Sequence, residues 1–167
     1  VVGVAAIDTI VPVLIATVVA TVLTRAVVGE GPIYGQREFH LSSPAELLAF
    51  GGLGLFVAFG AQAFMRLLSF GETMFRRPWL KPPWRSAFGG LLAGALVAVM
   101  PEVAGNGYEP LNAILNGGFA VSFALWLLLG KSLATTASVS SGSPGGVFTP
   151  TLLLGGALGF VYAVALA

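Results

Sequence analysis

The sequence has no cysteine and very few charged residues. Disulfides, thiolate metal sites and cysteine nucleophiles are therefore absent from these 167 residues. Charged residues make up 9% of the chain, whereas soluble domains carry roughly 25%. With 56% hydrophobic residues, this composition indicates an integral membrane protein in a lipid bilayer. The formal net charge of +1 is not typical of nucleic-acid binding, so no nucleic acid partner is expected.

Neither end of the chain has the features of a natural terminus. The chain begins with Val1 and no basic, signal-like segment, and it ends inside an apolar run. We therefore expect a piece of a longer membrane domain. The single histidine, His40, lacks partners at metal-ligand spacing, so neither a metal nor a cofactor is expected.

Apolar runs alternate with short polar links, and several runs reach the roughly 20 residues that a bilayer crossing needs. This pattern predicts an all-α, polytopic membrane helical bundle with tilted and partly broken helices. Ser43, Pro44 and Glu46 have the pattern of a capped helix start. Three glycines, Gly155, Gly156 and Gly159, are expected to break the last run. The predicted helical segments are residues 7–28, 44–75, 86–100, 110–115, 119–139, 148–157 and 160–167.

Basic residues cluster in one link of the chain. Residues 76–85 hold half of the lysines and arginines and no acidic residue. The positive-inside rule therefore places this link in the cytoplasm. The polar stretch at residues 35–43 is interpreted as an aqueous loop on the opposite side.

The most unusual stretch is residues 140–150, Ser-Ser-Gly-Ser-Pro-Gly-Gly-Val-Phe-Thr-Pro, between two apolar runs. Unpaired backbone groups in hydrocarbon are costly, so a loop at this depth must line a protein cavity. Gly145 and Gly146 let the backbone approach a ligand, and Pro150 fits a first helical turn. The remaining N–H groups and the helix dipole favour an anion. The alternative is a tight helix connection that serves packing only.

Other residues near the loop leave further interpretations open. Lys131 lies inside an apolar segment and is a candidate for raising the local potential for anions. Pairing or snorkelling at a helix end is its structural alternative. The hydroxyls of residues 138–143 offer nucleophiles for an intramembrane enzyme, but no histidine or carboxylate accompanies them within the segment. A structural membrane subunit is the third alternative.

Residues 141–150 resemble the G-x-P/S-G-G-x-F-x-P signature of the CLC family of chloride channels and chloride–proton antiporters. Weaker similarity covers nearly the whole chain in the family's order. Residues 12–31 resemble the helix before the family's halfway point, 44–66 the helix that opens its second half, and 105–109 its glycine-tyrosine turn. Lys131 falls where the family often has a basic residue. The resemblance covers only the middle portion of a CLC membrane domain.

This resemblance implies a site made of backbone. The amides of Val147 and Phe148 would contact a chloride ion, and Gly145 and Gly146 would form the approach. The other candidate residues of the anion pathway are Ser141, Ser143 and Lys131.

The resemblance also implies an organisation for the whole protein. Residues 1–43 would end the first half of one ion-transport domain, and residues 44–167 would begin the second half. The expected function is transport of chloride or a similar monovalent anion, not catalysis, by a homodimer in the bacterial inner membrane. The first span is expected near the dimer interface. Channel and exchanger remain open, because the family's deciding glutamates lie in preceding segments.

Overall fold

The computed structural model describes residues 2–29, 43–78 and 80–166, and the side chains from residue 10 onward. Six α-helices and one 3₁₀ turn make up the regular structure of these residues, which confirms the all-α prediction. Most of the predicted aqueous loop at residues 35–43, including His40, lies outside the described residues. The helices are α1 (Val2–Val28), α2 (Glu46–Phe75), α3 (Pro82–Val99), α4 (Tyr108–Leu115), α5 (Val121–Ser140) and α6 (Phe148–Leu166), with the 3₁₀ turn at Pro101–Val103.

Helix α1 forms a unit by itself. It includes Pro12 without a break and ends at Gly29, whose φ of 110° is left-handed and whose N–H donates to the Arg25 carbonyl at 3.1 Å. Every described side chain from Ile10 to Val28 is exposed. The predicted first span is confirmed, and the helix begins five residues earlier than expected.

The second unit contains α2 to α6, and its four long helices, α2, α3, α5 and α6, alternate in direction. Tyr162 in α6 donates its hydroxyl to the Ala49 carbonyl in α2 at 3.0 Å. Further along, the backbone of Gly60 in α2 faces Leu158 in α6. Because the residue number rises in one helix as it falls in the other, α2 and α6 are antiparallel. Helix α5 runs parallel to α2, and α3 runs antiparallel to α5.

The start of α2 follows its sequence signal. The Ser43 hydroxyl accepts a hydrogen bond from the Ala45 N–H at 3.2 Å. The helix itself begins at Glu46, two residues after the predicted start. A turn at Pro44 and Ala45 leads into the helix, which ends at Phe75 as predicted. The predicted helix is therefore confirmed, with its start shifted by two residues.

The predicted start of α3 at residue 86 is wrong. Pro82 and Pro83 occupy the first two helical positions, where the missing N–H groups cost nothing. The Lys81 carbonyl accepts the N–H groups of Trp84 and Arg85 at 3.0 and 3.1 Å. The basic link therefore shortens to residues 76–81, of which residue 79 lies outside the described part.

The predicted break of α6 at its glycines is also wrong. The helix is continuous from Phe148 to Leu166. A side chain at Gly156 would overlap that of Leu111 in α4, so this glycine allows the two helices to pack closely. Helix α6 is therefore one full-length helix instead of two short pieces.

The second unit has a small core and an apolar surface. Its most deeply buried large side chains are Ile114, Leu127 and Leu153. Many large apolar side chains on α2, α3, α5 and α6 remain exposed, which indicates lipid or further protein around them. Among the described residues, four helices are long and apolar enough to cross a membrane: Ile10–Val28 within α1, α2, α5 and α6.

Candidate functional site

The loop between α5 and α6 begins with a glycine that ends α5. Gly142 has a φ of 86°, and its N–H donates to the Val139 carbonyl at 3.1 Å. This left-handed conformation suits glycine and is a common end for a helix. It turns the chain into residues 143–147, which lead directly into α6.

Ser141 is held against α3. It is 3% exposed, and its hydroxyl donates to the Ser138 carbonyl at 2.8 Å. The hydroxyls of Ser141 and Ser143 lie 3.4 Å apart, and the Ser86 hydroxyl donates to the Ser141 carbonyl at 3.4 Å. These contacts fix the start of the loop. The proposed part of Ser141 and Ser143 in an anion pathway stays a prediction.

Gly145 and Gly146 lie on an open face of the loop. A methyl group at Gly146 would meet nothing within 4 Å, and one at Gly145 would meet nothing nearer than 3.9 Å. Neither residue has a left-handed φ. Packing and backbone conformation within the described part therefore do not require glycine here. The absent side chains leave the backbone accessible, which is the property that ligand approach requires.

The first turn of α6 presents unpaired N–H groups. The Val147 carbonyl accepts the Thr151 N–H at 2.9 Å, which closes the turn. The N–H groups of Val147 and Phe148 donate to no carbonyl in the described part of the chain. The side chains of Val147 and Phe148 are 39% and 78% exposed. An accessible helix N-terminus with free N–H groups favours an anion.

Lys131 lies in the middle of α5, as the eleventh of its 20 residues. Its side chain is 3% exposed. The ammonium group donates to the carbonyls of Val103 at 2.8 Å and Gly105 at 2.6 Å. Lysine snorkelling at a helix end does not describe this position, because the side chain is bonded to backbone near the helix centre.

The turn that Lys131 holds also contacts the first turns of α6. Asn106 accepts a hydrogen bond from the Thr149 hydroxyl at 3.5 Å. Gly107 has a φ of 81°, and a side chain there would approach Leu153 to 2.8 Å. The turn at residues 104–107 therefore joins the middle of α5 to the beginning of α6.

Lys131 and the two glycines share one cleft of about 340 Å³. Sequence reasoning missed the other polar residues of this cleft: Asn106, Thr135, Ser138 and Thr149. A signal for two of them was available, because positions 131, 135 and 138 fall on one face of a helix. Within the described ranges, no group of three potential metal-ligating side chains occurs.

The helices and their apolar surfaces define an integral membrane protein of the polytopic α-helical class. The family model described as voltage gated chloride channel matches residues 1–167. The chain therefore belongs to the voltage gated chloride channel (CLC) family, which confirms the resemblance noted in its sequence.

Several bacterial proteins are similar to the chain. A ClcB-like protein of Ralstonia nicotianae is 38% identical over 151 residues, covering 90% of this chain and 35% of the relative. The voltage-gated ClC-type chloride channel ClcB of Citrobacter koseri is 34% identical over 155 residues, covering 90% and 36%. The chain thus spans about a third of the length of these relatives. No solved structure matches it.

Proposed function

We propose that the full-length protein transports chloride, or a similar monovalent anion, across the membrane. The anion is held by the backbone N–H groups of Val147 and Phe148, and it approaches past Gly145 and Gly146. Family membership and the names of the ClcB relatives support this proposal. Since the chain is part of a longer domain, it supplies one wall of the anion site.

The observation that carries the proposal is the pair of unpaired N–H groups where α6 begins. Both groups follow a glycine pair that leaves open space beside the backbone. A site made of neutral backbone dipoles binds an anion without a neighbouring cation in the loop. Such binding is weak enough for the ion to leave, which transport requires.

The organisation of the protein is part of the same proposal. Residues 1–43 end the first half of the transport domain, and residues 44–167 begin the second half. The full-length protein is a homodimer in the bacterial inner membrane, with α1 near the dimer interface. The basic link at residues 76–81 faces the cytoplasm, as its excess of positive charge supports.

The decisive experiment removes one amide and keeps the helix. Phe148→Pro deletes the N–H at the first helical position, where proline is well tolerated. Phe148→Ala is the matched control, because it loses the same side chain and keeps the N–H. Chloride efflux is measured from proteoliposomes containing equal amounts of folded full-length protein. We expect efflux to fall at least tenfold in Phe148→Pro relative to Phe148→Ala. Equal efflux in the two variants would show that this amide does not bind the anion.

The same vesicles distinguish a channel from a proton-coupled exchanger. Proton movement is recorded with a pH-sensitive dye while a chloride gradient is applied. An exchanger drives protons against their gradient under these conditions, whereas a channel does not.

A further inference from the structure

Helix α5 has one polar face that borders the cleft, separate from Thr136 and Ser140, which lie against α2. Lys131, Thr135 and Ser138 are spaced by four and three residues and therefore lie on the same side. Thr135 is only 6% exposed, and Lys131 is 3% exposed. Buried polar groups in membrane helices face a protein interior or a water-filled cavity. This face of α5 is therefore suited to a polar occupant.

The polar face borders the cleft of about 340 Å³. Gly145 lies beside Ser138, since a methyl group on this glycine would come within 4.0 Å of the Ser138 hydroxyl. The helical rise puts Lys131 and Ser138 about 10 Å apart along α5. This volume holds on the order of ten water molecules, so an ion fits with part of its hydration. Val147 and Phe148 do not line the cleft, whereas Gly145 and Gly146 do, so the cleft borders the approach to the proposed backbone site.

The charge of Lys131 has no carboxylate partner in the described part of the chain. The ammonium group uses two of its three N–H donors on the carbonyls of Val103 and Gly105. The acidic residues that flank this turn, Glu102 and Glu109, line neighbouring clefts instead. A buried charge without a counter-charge is costly, so this position favours a bound anion.

We propose that this cleft is a second anion-binding site, with Lys131 as its counter-charge and the hydroxyls of Thr135 and Ser138 as hydrogen-bond donors. The occupant is a small, partly hydrated, monovalent anion, because one fixed ammonium group balances one negative charge. The purpose of the site rests on the proposed anion transport: it supplies ions to the loop from the side of α5. Lys131 is held in place by two backbone carbonyls, so its charge stays fixed while the ion exchanges.

Cysteine reactivity tests this site directly. The full-length protein is prepared with any cysteines outside these residues replaced by serine. Ser138→Cys and Thr135→Cys are then treated in membranes with an anionic and a cationic methanethiosulfonate reagent of similar size. The reaction rate of each reagent with the protein is divided by the rate of the same reagent with a free thiol. We expect the anionic reagent to react at least fivefold faster than the cationic one, and chloride to slow the anionic reaction.

Two control positions lie on α5 itself. Ser140→Cys replaces a hydroxyl that bonds to the Leu68 carbonyl on α2, and Leu133→Cys lies on an exposed face outside the cleft. Neither thiol should show the anion preference or the protection by chloride. Lys131→Met in the Ser138→Cys background should abolish the preference. If Lys131→Met does not fold, the proposal is judged from Ser138→Cys and Thr135→Cys with Lys131 intact. Their preference for the anionic reagent and their protection by chloride are then the two readouts.

The proposal is overturned if both cleft thiols are unreactive, or if their reactions show neither an anion preference nor chloride protection. These outcomes are independent of transport. If Phe148→Pro leaves efflux unchanged while chloride still protects Ser138→Cys, the backbone site is refuted and the cleft site stands. If Phe148→Pro abolishes efflux while the cleft thiols show neither anion preference nor chloride protection, the cleft site is refuted and the backbone site stands.

Discussion

No side chain fits between the backbone of Gly89 in α3 and the side chain of Ser141 at the end of α5. A methyl group on Gly89 would overlap Ser141 and lie 2.5 Å from the Ala137 carbonyl oxygen. This contact fixes the point at which the loop leaves α5. The position of the proposed anion site therefore depends on a glycine that lies more than 50 residues before it.

The first prediction follows from this contact. Gly89→Ala should destabilise the full-length protein by about 1–3 kcal/mol, because an inserted methyl group forces packed atoms apart. Gly90→Ala is the control, since a methyl group there meets nothing within 4 Å. Thermal unfolding in detergent measures both. Equal midpoints for the two variants would mean that α3 does not press against Ser141.

The second prediction concerns the open face of the loop. Gly146→Ala should leave the unfolding midpoint unchanged, because its methyl group enters open space and its φ is not left-handed. The same methyl group narrows the approach to the backbone amides. Chloride efflux should therefore fall about fivefold, which corresponds to roughly 1 kcal/mol.

The control for this variant is Gly51→Ala, which also adds a methyl group in open space, but in α2. Its efflux should equal that of the unaltered protein. An unchanged efflux in Gly146→Ala would indicate that no ion passes close to this glycine.

Local signals predicted much of this fold, and distant contacts account for the errors. The start of α2 was predictable to within two residues, because Ser43 and Pro44 lie just before the helix. The continuity of α6 was not, because glycine in a helix is unfavourable by itself and Gly156 is used for contact with Leu111 in another helix. The partners of Lys131 were equally hidden, since its two carbonyls lie 28 and 26 positions away.

The candidate site also has a part that local sequence predicted and a part that it did not. The glycine pair and the start of a helix at Phe148 were readable, since glycine and proline act on the backbone locally. The cleft beside them is formed by α3, the turn near Gly105, α5 and α6, so its shape depends on how separate segments pack. The spacing of residues 131, 135 and 138 carried an unused signal for the polar face of α5, and no local signal existed for the wall opposite to it.

The third prediction tests the packing of α2 on α6. A methyl group at Gly60 would lie 2.5 Å from Leu158 Cδ1, so Gly60→Ala should destabilise the protein. Leu158→Ala removes the atom that clashes. The double variant should therefore be more stable than the sum of the two single changes predicts, by about 1 kcal/mol.

Thermal or denaturant unfolding of the four proteins supplies this comparison. Gly54→Ala serves as the control in α2, because its methyl group meets nothing within 4 Å. Combined with Leu158→Ala, it should show additive effects. Additivity in the Gly60 series as well would contradict the close approach of these two helices.

The last prediction concerns the orientation of the bundle in the membrane. Helices α2 and α5 are parallel, so the basic link that follows α2 lies at the same end of the bundle as the end of α5. The start of α5 lies at the opposite end.

If the link is cytoplasmic, Arg77→Cys should react with a membrane-impermeant thiol reagent only from the cytoplasmic side. Ala120→Cys, an exposed residue just before α5, should react only from the other side. Inside-out and right-side-out vesicles give the two accessibilities. Labelling of both residues from one side would exclude a membrane crossing by α5, and the reverse pattern would invert the bundle and place the entrance to the loop on the outer side.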